Sequence, residues 1–215
     1  MVPGGGQEGS GPAGLTRDRV LDAAMAILLE RGLERLTVRA LADDLGVAVT
    51  AIYWHVGNKQ TLLDALVDRI IAELGEVRAR GRTPATRIRS VADGLRSALL
   101  ARPDLVAFVQ QQGRVAGLFQ PARRALAVEL TRAGVAGERA AYGVEAVVLV
   151  VVGSVLIDRQ VARQPVQSEQ PEELWTEADL PGAPGTLVHL THRLDEDAVF
   201  AFSVDALVQS LLTSP

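Results

Sequence analysis

Apolar residues recur along this chain at intervals of three and four, the period of an amphipathic helix, and no segment shows the alternation of a half-buried strand. The pattern predicts an all-α protein. A first helix starts at Thr16, whose hydroxyl can cap it. It carries Asp18 in its first turn and a stripe of Val20, Ala23, Ala24, Ile27 and Leu28, and it closes at Gly32 and Leu33. A second starts at Thr37, with Val38, Leu41, Ala42 and Leu45 on one face, and stops at Gly46. There the missing Cβ permits the left-handed conformation, and Val47 can fold back on the last turn. From about Val49 to His55 runs a helix too short to persist alone, so Ile52 and Val56 must dock against its neighbours. Two helices joined by so tight a turn make a helix-turn-helix, whose second member enters the major groove of DNA.

Beyond Asn58 the apolar positions Leu62, Leu63, Leu66, Ile70 and Leu74 predict a long helix reaching about Arg78, broken by the segment RARGRTP. Further helices are expected over about 85–100, 104–113, 120–132, 137–162 and 196–212, with a proline-rich, acidic and mobile loop at about 164–186. The organisation predicted is a disordered glycine-rich tail over 1–14, a helix-turn-helix domain over 15–60, and a ligand-binding and dimerisation domain over 61–215.

The runs Tyr53-Trp54-His55-Val56, Asn58-Lys59 and Leu62-Leu63-Asp64-Ala65-Leu66 resemble the amino-terminal domain of the TetR family of transcriptional repressors, and within it the tetracycline repressor branch. The motif resemblance covers roughly residues 15 to 66. It implies a three-helix DNA-binding head and a helical domain that dimerises through a four-helix bundle formed by two long carboxyl-terminal helices. By this resemblance Val49, Thr50, Tyr53, Trp54 and His55 occupy the exposed face and tip of the recognition helix, with Arg39 at the start of the helix before it and Lys59 near the start of the one after. Arg39 suits a bidentate contact to guanine, Thr50 a base edge or thymine methyl, and Tyr53, His55 and Lys59 suit phosphates. The competing reading makes Tyr53 and Trp54 core aromatics and His55 a buried cap. Ala48 and Val49 depart from the polar residues usual there, and favour thymine methyl contact over hydrogen-bonded readout.

Composition supports helices, since 48% of residues are hydrophobic and only 4% aromatic. The chain has no cysteine, which excludes disulfides, thiolate zinc sites and cysteine nucleophiles. Neither a P-loop nor a nucleophile elbow occurs, so no catalytic residues are assigned and no enzyme is expected. His189 and His192 share a spacing that metals accept, but they read as solvated loop residues, and no metal or cofactor is assigned. The longest apolar run, Ala146 to Ile157, falls short of the roughly 20 residues a bilayer needs, so no membrane partner is expected. Without a signal peptide, the cytoplasm is the expected compartment. Charge runs the other way from DNA binding. Residues 1–75 carry seven Lys or Arg against ten Asp or Glu, so the head must rely on clustered cations such as Arg39 and Lys59.

The resemblance also implies an effector pocket among the central helices of the second domain, and pockets are apolar with a few placed polar groups. Phe108, Gln111, Arg114, Phe119, Tyr142, Glu145, Asp158 and His189 are the candidates for an unidentified small molecule. Residues 75–100 lack the histidine and asparagine with which the tetracycline branch holds a drug–magnesium chelate, so tetracycline is not the expected effector. The function expected is a homodimeric repressor on an inverted-repeat operator, released by a small-molecule effector. The alternatives are an activator of the same fold, and a helical small-molecule or protein-binding module without operator binding.

Overall fold

The computed structural model describes residues 14–74, 77–163, 182–192 and 194–213, and these contain ten α-helices and no strand. The predicted tail and most of the predicted mobile loop lie outside the described residues. The chain divides into two compact units, Met1–Glu73 with Pro103–Val115, and Leu74–Arg102 with Ala116–Pro215.

In the first unit, α1 (Arg17–Arg31) is capped by Thr16, whose Oγ accepts from the Arg19 N–H at 3.2 Å, and α2 (Val38–Leu45) by Thr37, whose Oγ accepts from Ala40 N–H at 3.0 Å. Gly46 ends α2 in the left-handed region at φ +65°, and the Val47 N–H reaches back to the Ala42 carbonyl at 3.0 Å. That closure turns the chain directly into α3 (Val49–Val56). Val20, Ala24, Ile27, Leu41 and Ile52 are at most 1% exposed and form the centre of this three-helix head. Helix α4 (Lys59–Leu74) is started by Asn58, whose Oδ1 accepts from the Thr61 N–H at 2.9 Å.

The compact unit that holds the head runs past the expected boundary at residue 60 to Glu73, near the end of α4, and α6 (Pro103–Gln111) joins the same unit. Two ion pairs show why. Arg69 on α4 reaches Asp22 on α1 at 2.5 Å, and Arg114 just after α6 reaches Asp68 on α4 at 2.8 Å. Helix α4 also stops at Leu74 and not near Arg78, since residues 77–80 are not helical.

The second unit contains α5 (Pro84–Ala101), α7 (Val115–Arg132), α8 (Gly137–Arg163), α9 (Pro184–Leu190) and α10 (Glu196–Thr213). Helix α7 begins five residues before its expected start, with Pro121 inside its first two turns. Residues 184–190, whose first three fall in the loop expected over about 164–186, are helical, with Pro184 in the first turn where a missing N–H costs nothing. Helices α5, α8 and α10 pack against one another, burying Val91, Leu95, Val147, Val151, Val204 and Val208. By length and mean hydropathy, residues Gly137–Arg159 of α8 could cross a bilayer, so length alone does not exclude a span. Within this unit, however, Val144, Val147, Val148, Val151 and Val155 are buried. Gly143 is buried too. A Cβ there would stand 3.0 Å from Leu211 Cδ2 and 3.2 Å from Leu130 Cδ1, so this small residue serves the unit's own core.

Glu129 on α7 is the one buried charged side chain among the described residues, 4% exposed. Arg87 donates to it twice, Nε to Oε2 at 2.6 Å and Nη2 to Oε1 at 2.7 Å, and Arg132 adds a contact at 2.9 Å. The Arg87 hydrogen bonds hold its carboxyl below the usual carboxylate range against the opposing effect of desolvation. A carboxyl depressed in the folded state stabilises fully above its unfolded-state pKa, and that contribution disappears as pH falls through the folded value. Glu129→Gln is therefore expected to lower the melting temperature near neutral pH and to converge on the wild type in acid. Parallel melts of the two proteins from pH 7 downward check this, and a constant difference would refute it.

Candidate nucleic-acid interface and effector site

Helix α3 buries Ile52 (0% exposed) and Val56 (3%), and this fixes its rotation. Facing outward are Val49, Thr50, Tyr53 (48% exposed) and Trp54 (77%), with His55 half-buried. Trp54 is thus not a core aromatic, and neither is Tyr53. The Trp54 indole instead meets the His55 imidazole edge to face, with centroids 4.7 Å apart and planes at 89°, which orients both rings at the helix tip. The helix ends at Gly57, at φ +73°, where the Gly57 N–H donates to the Tyr53 carbonyl at 2.8 Å. Lys59 is exposed at the first position of α4, and Arg39 is exposed at the second position of α2. Neither has an ion-pair partner among the described residues. Ala48, at the start of α3, supplies no side-chain cap, so the first N–H groups of the recognition helix have no side-chain partner there.

The structure does not gather the eight expected effector residues. Phe108, Gln111 and Arg114 belong to the first unit, where Phe108 is core (2% exposed), Gln111 is exposed and Arg114 is engaged by Asp68. The other five belong to the second. Arg123 holds Glu145 in a bidentate pair at 2.7 and 2.8 Å, which lowers the carboxyl's pKa, and stands 5.8 Å from the Phe119 ring. Tyr142 is 65% exposed and donates to Glu138 at 2.5 Å, a bond that raises the phenol's pKa. His189 is exposed on α9. Arg114 and Glu145 are thus taken up in ion pairs and Tyr142 in a hydrogen bond, and sequence order alone does not separate such pairs from convergent pocket groups.

Asp158 alone of the eight lines the apolar cavity between α8 and α10, of about 360 Å³, whose walls include Leu149, Gly153, Ile157, Val199 and Phe200. Arg96 on α5 contacts three of its lining residues, Ser154, Asp158 and Phe200. The guanidinium donates to Ser154 at 2.7 Å, Asp197 at 2.6 Å and Asp158 at 2.8 Å, and lies 4.8 Å from the Phe200 ring centre. The sequence signal for this cavity is the apolar character of α8 on more than one face, which calls for cover but does not by itself specify a cavity.

Residues 20–66 match the model of the bacterial regulatory proteins of the tetR family. The chain is 31% identical to the class G tetracycline repressor protein of Vibrio anguillarum, across 90% of this chain and 92% of that one. A 42% identity to the class D repressor of Escherichia coli is confined to 94 residues, 43% of each chain, so that match spans less than half of the relative's length. Among solved structures, the Streptomyces coelicolor TetR family protein ActR in complex with actinorhodin aligns at 27% identity with a TM-score of 0.64, covering 93% of this chain and 98% of that one. An outward-facing recognition helix on a three-helix head, a separate helical unit and a full-length relative together establish that the chain belongs to the TetR family of DNA-binding transcriptional regulators.

Proposed function

We propose that the protein is a homodimeric transcriptional repressor that binds an inverted-repeat operator and is released by a small-molecule effector. The observation that carries this reading is the outward array of Val49, Thr50, Tyr53 and Trp54, flanked by Arg39 and Lys59. Apolar Val49 at the mouth of α3 meets a thymine methyl, Thr50 and Arg39 reach base edges, and Tyr53, His55 and Lys59 hold phosphates, with Lys59 reinforced by the free N–H groups at the start of α4. Trp54 packs its exposed face against the sugar–phosphate wall. TetR family regulators are non-enzymatic in general, and no step here needs catalysis. The cytoplasm, where the operator lies, is the proposed compartment.

The exposed apolar residues Leu149, Leu156 and Ile157 on α8 and Val199 and Phe202 on α10 form the proposed dimer face. Two copies related by a two-fold axis present two recognition helices to half-sites about one helical turn or a multiple apart. ActR binds actinorhodin, and by analogy the effector of this protein is a small, largely apolar molecule held in the second unit. It acts by binding the DNA-incompetent state more tightly than the competent one, displacing α4 at the point where the chain passes between units.

Fluorescence anisotropy on the DNA upstream of its own gene tests the reading. Wild type is expected to bind tightly and with a steep loss of affinity as salt rises, and Tyr53→Ala, Arg39→Ala and Lys59→Ala are each expected to weaken binding about tenfold or more. Wild-type affinity in all three variants would remove the contact assignments. Weak binding by the wild type, insensitive to sequence, would favour a binding module without an operator.

A further inference from the structure

Glycine is the poorest helix former after proline, so a glycine well inside a long helix needs a reason. Helix α8 carries two within its length, and they differ. At Gly143 an added Cβ would press on Leu211 and Leu130, whereas at Gly153 it would meet nothing within 4 Å. The chain's own packing therefore does not call for glycine at 153.

Gly153 lies in the wall of the apolar cavity between α8 and α10, with Leu149, Ile157, Val199 and Ser203 among its neighbours there. Leu149, Ile157 and Val199 are also exposed residues of the proposed dimer face, so the hollow opens on that face. The two acids in its wall, Asp158 and Glu196, already have partners, Asp158 in Arg96 at 2.8 Å. An apolar group that enters the hollow therefore buries no bare carboxylate.

Beside the hollow stands a side chain of the complementary shape. Phe202, 75% exposed, is the most exposed large apolar side chain among the described residues of the second unit. On α10 it follows Val199 by three residues and adjoins Ser203, both of which line the hollow, so it sits at the same level of the face as Gly153. A two-fold axis pairs a patch with itself, and an axis near this level sets the ring of each copy opposite the hollow of the other.

We infer that Phe202 of each copy enters the hollow over Gly153 of the other, and that this pair of contacts restricts the partner to a chain with a small residue at position 153. The contact rests on the α8 and α10 dimer face proposed above, and it adds which residues set the register and the choice of partner. An aromatic ring seated in an apolar pocket is the kind of anchor on which association depends most. The loss of helix propensity at Gly153 is then offset only in the dimer.

Sedimentation equilibrium of the full-length protein across a double-mutant cycle tests the pairing. Gly153→Leu fills the hollow and Phe202→Ala removes the ring, and each is expected to weaken dimerisation about tenfold or more. The double variant is expected to dimerise no more weakly than Phe202→Ala alone, because the leucine then takes space that no ring claims. Circular dichroism of Gly153→Leu is expected to show wild-type helical content, since the glycine's open side faces nothing in its own chain. Loss of helix there would show that the position serves the chain's own core, and would overturn the pairing. Losses that multiply in the double variant, or wild-type dimerisation in either single variant, would overturn it too and leave the hollow to another occupant. Leu149→Glu with Phe202→Glu separates the two levels. If that variant is monomeric while the losses in the cycle multiply, the dimer face stands and the pairing alone falls; if it stays dimeric, the face falls and the pairing with it.

Discussion

Leu149→Glu combined with Phe202→Glu is expected to leave a folded monomer that no longer holds an inverted repeat. The two side chains are 72% and 75% exposed, on α8 and α10, and large apolar groups so open to water on neighbouring helices mark an association surface more than a fold requirement. Removing them therefore costs the single chain little. Placed in a two-fold interface, the glutamates meet their own copies across the axis, where buried like charges repel and have no partner. A monomer has only one recognition helix, so affinity for a two-half-site operator should drop by at least about a hundredfold, consistent with the effective-concentration gain lost on unlinking two sites. Sedimentation velocity and anisotropy read the two effects separately. A variant that remains dimeric would relocate the interface, and a monomer with undiminished operator affinity would remove dimerisation from the mechanism.

The second large effect is expected from Ile52→Ala. Ile52 is wholly inaccessible and sits between the outward-facing residues of α3, so truncation opens a cavity directly beneath the proposed reading surface. Large-to-small changes at such sites cost about 2–5 kcal/mol. An eight-residue helix cannot absorb that loss, since isolated helices this short are marginal and α3 owes its existence to docking. The variant should lose hydrogen-exchange protection across α2 and α3 and bind operator more weakly than Tyr53→Ala, although Ile52 itself touches no DNA. Unchanged protection in α3 would show that the helix is held by other contacts.

The head was legible in the sequence because its signals are local. Thr16, Thr37 and Asn58 each cap within three residues of themselves, and Gly46 closes a turn whose partners are Ala42 and Asp43, so spacing alone determines the outcome. Trp54 stayed ambiguous for the opposite reason. Its exposure follows from the rotation of α3, which Ile52 and Val56 set by packing against other helices. The same limit governs the second unit. Some helix ends, such as that of α7 before Gly134, followed from glycine, but which side chains converge depends on how α5, α7, α8 and α10 are laid together. Thus Glu145 is paired with Arg123, and Arg96 of α5 joins α8 to α10 across Ser154, Asp158 and Asp197. The compact units differ from a division at residue 60 for a related reason, since residues Pro103–Val115 belong to the head's unit.

The uncapped start of α3 changes what operator binding means thermodynamically. A serine or aspartate in place of Ala48 would give the first turn of the recognition helix a side-chain cap in the free protein, whereas alanine leaves that turn without one and is expected to let it fray more readily. On the proposed operator, a phosphate oxygen is expected to take the role the missing hydroxyl would have had. Recognition then includes the ordering of the reader itself, so part of the contact energy offsets lost backbone entropy and the complex forms with lower affinity than the same contacts would give a rigid helix. For a repressor that must let go, a reader that is complete only on its own site is easier to release.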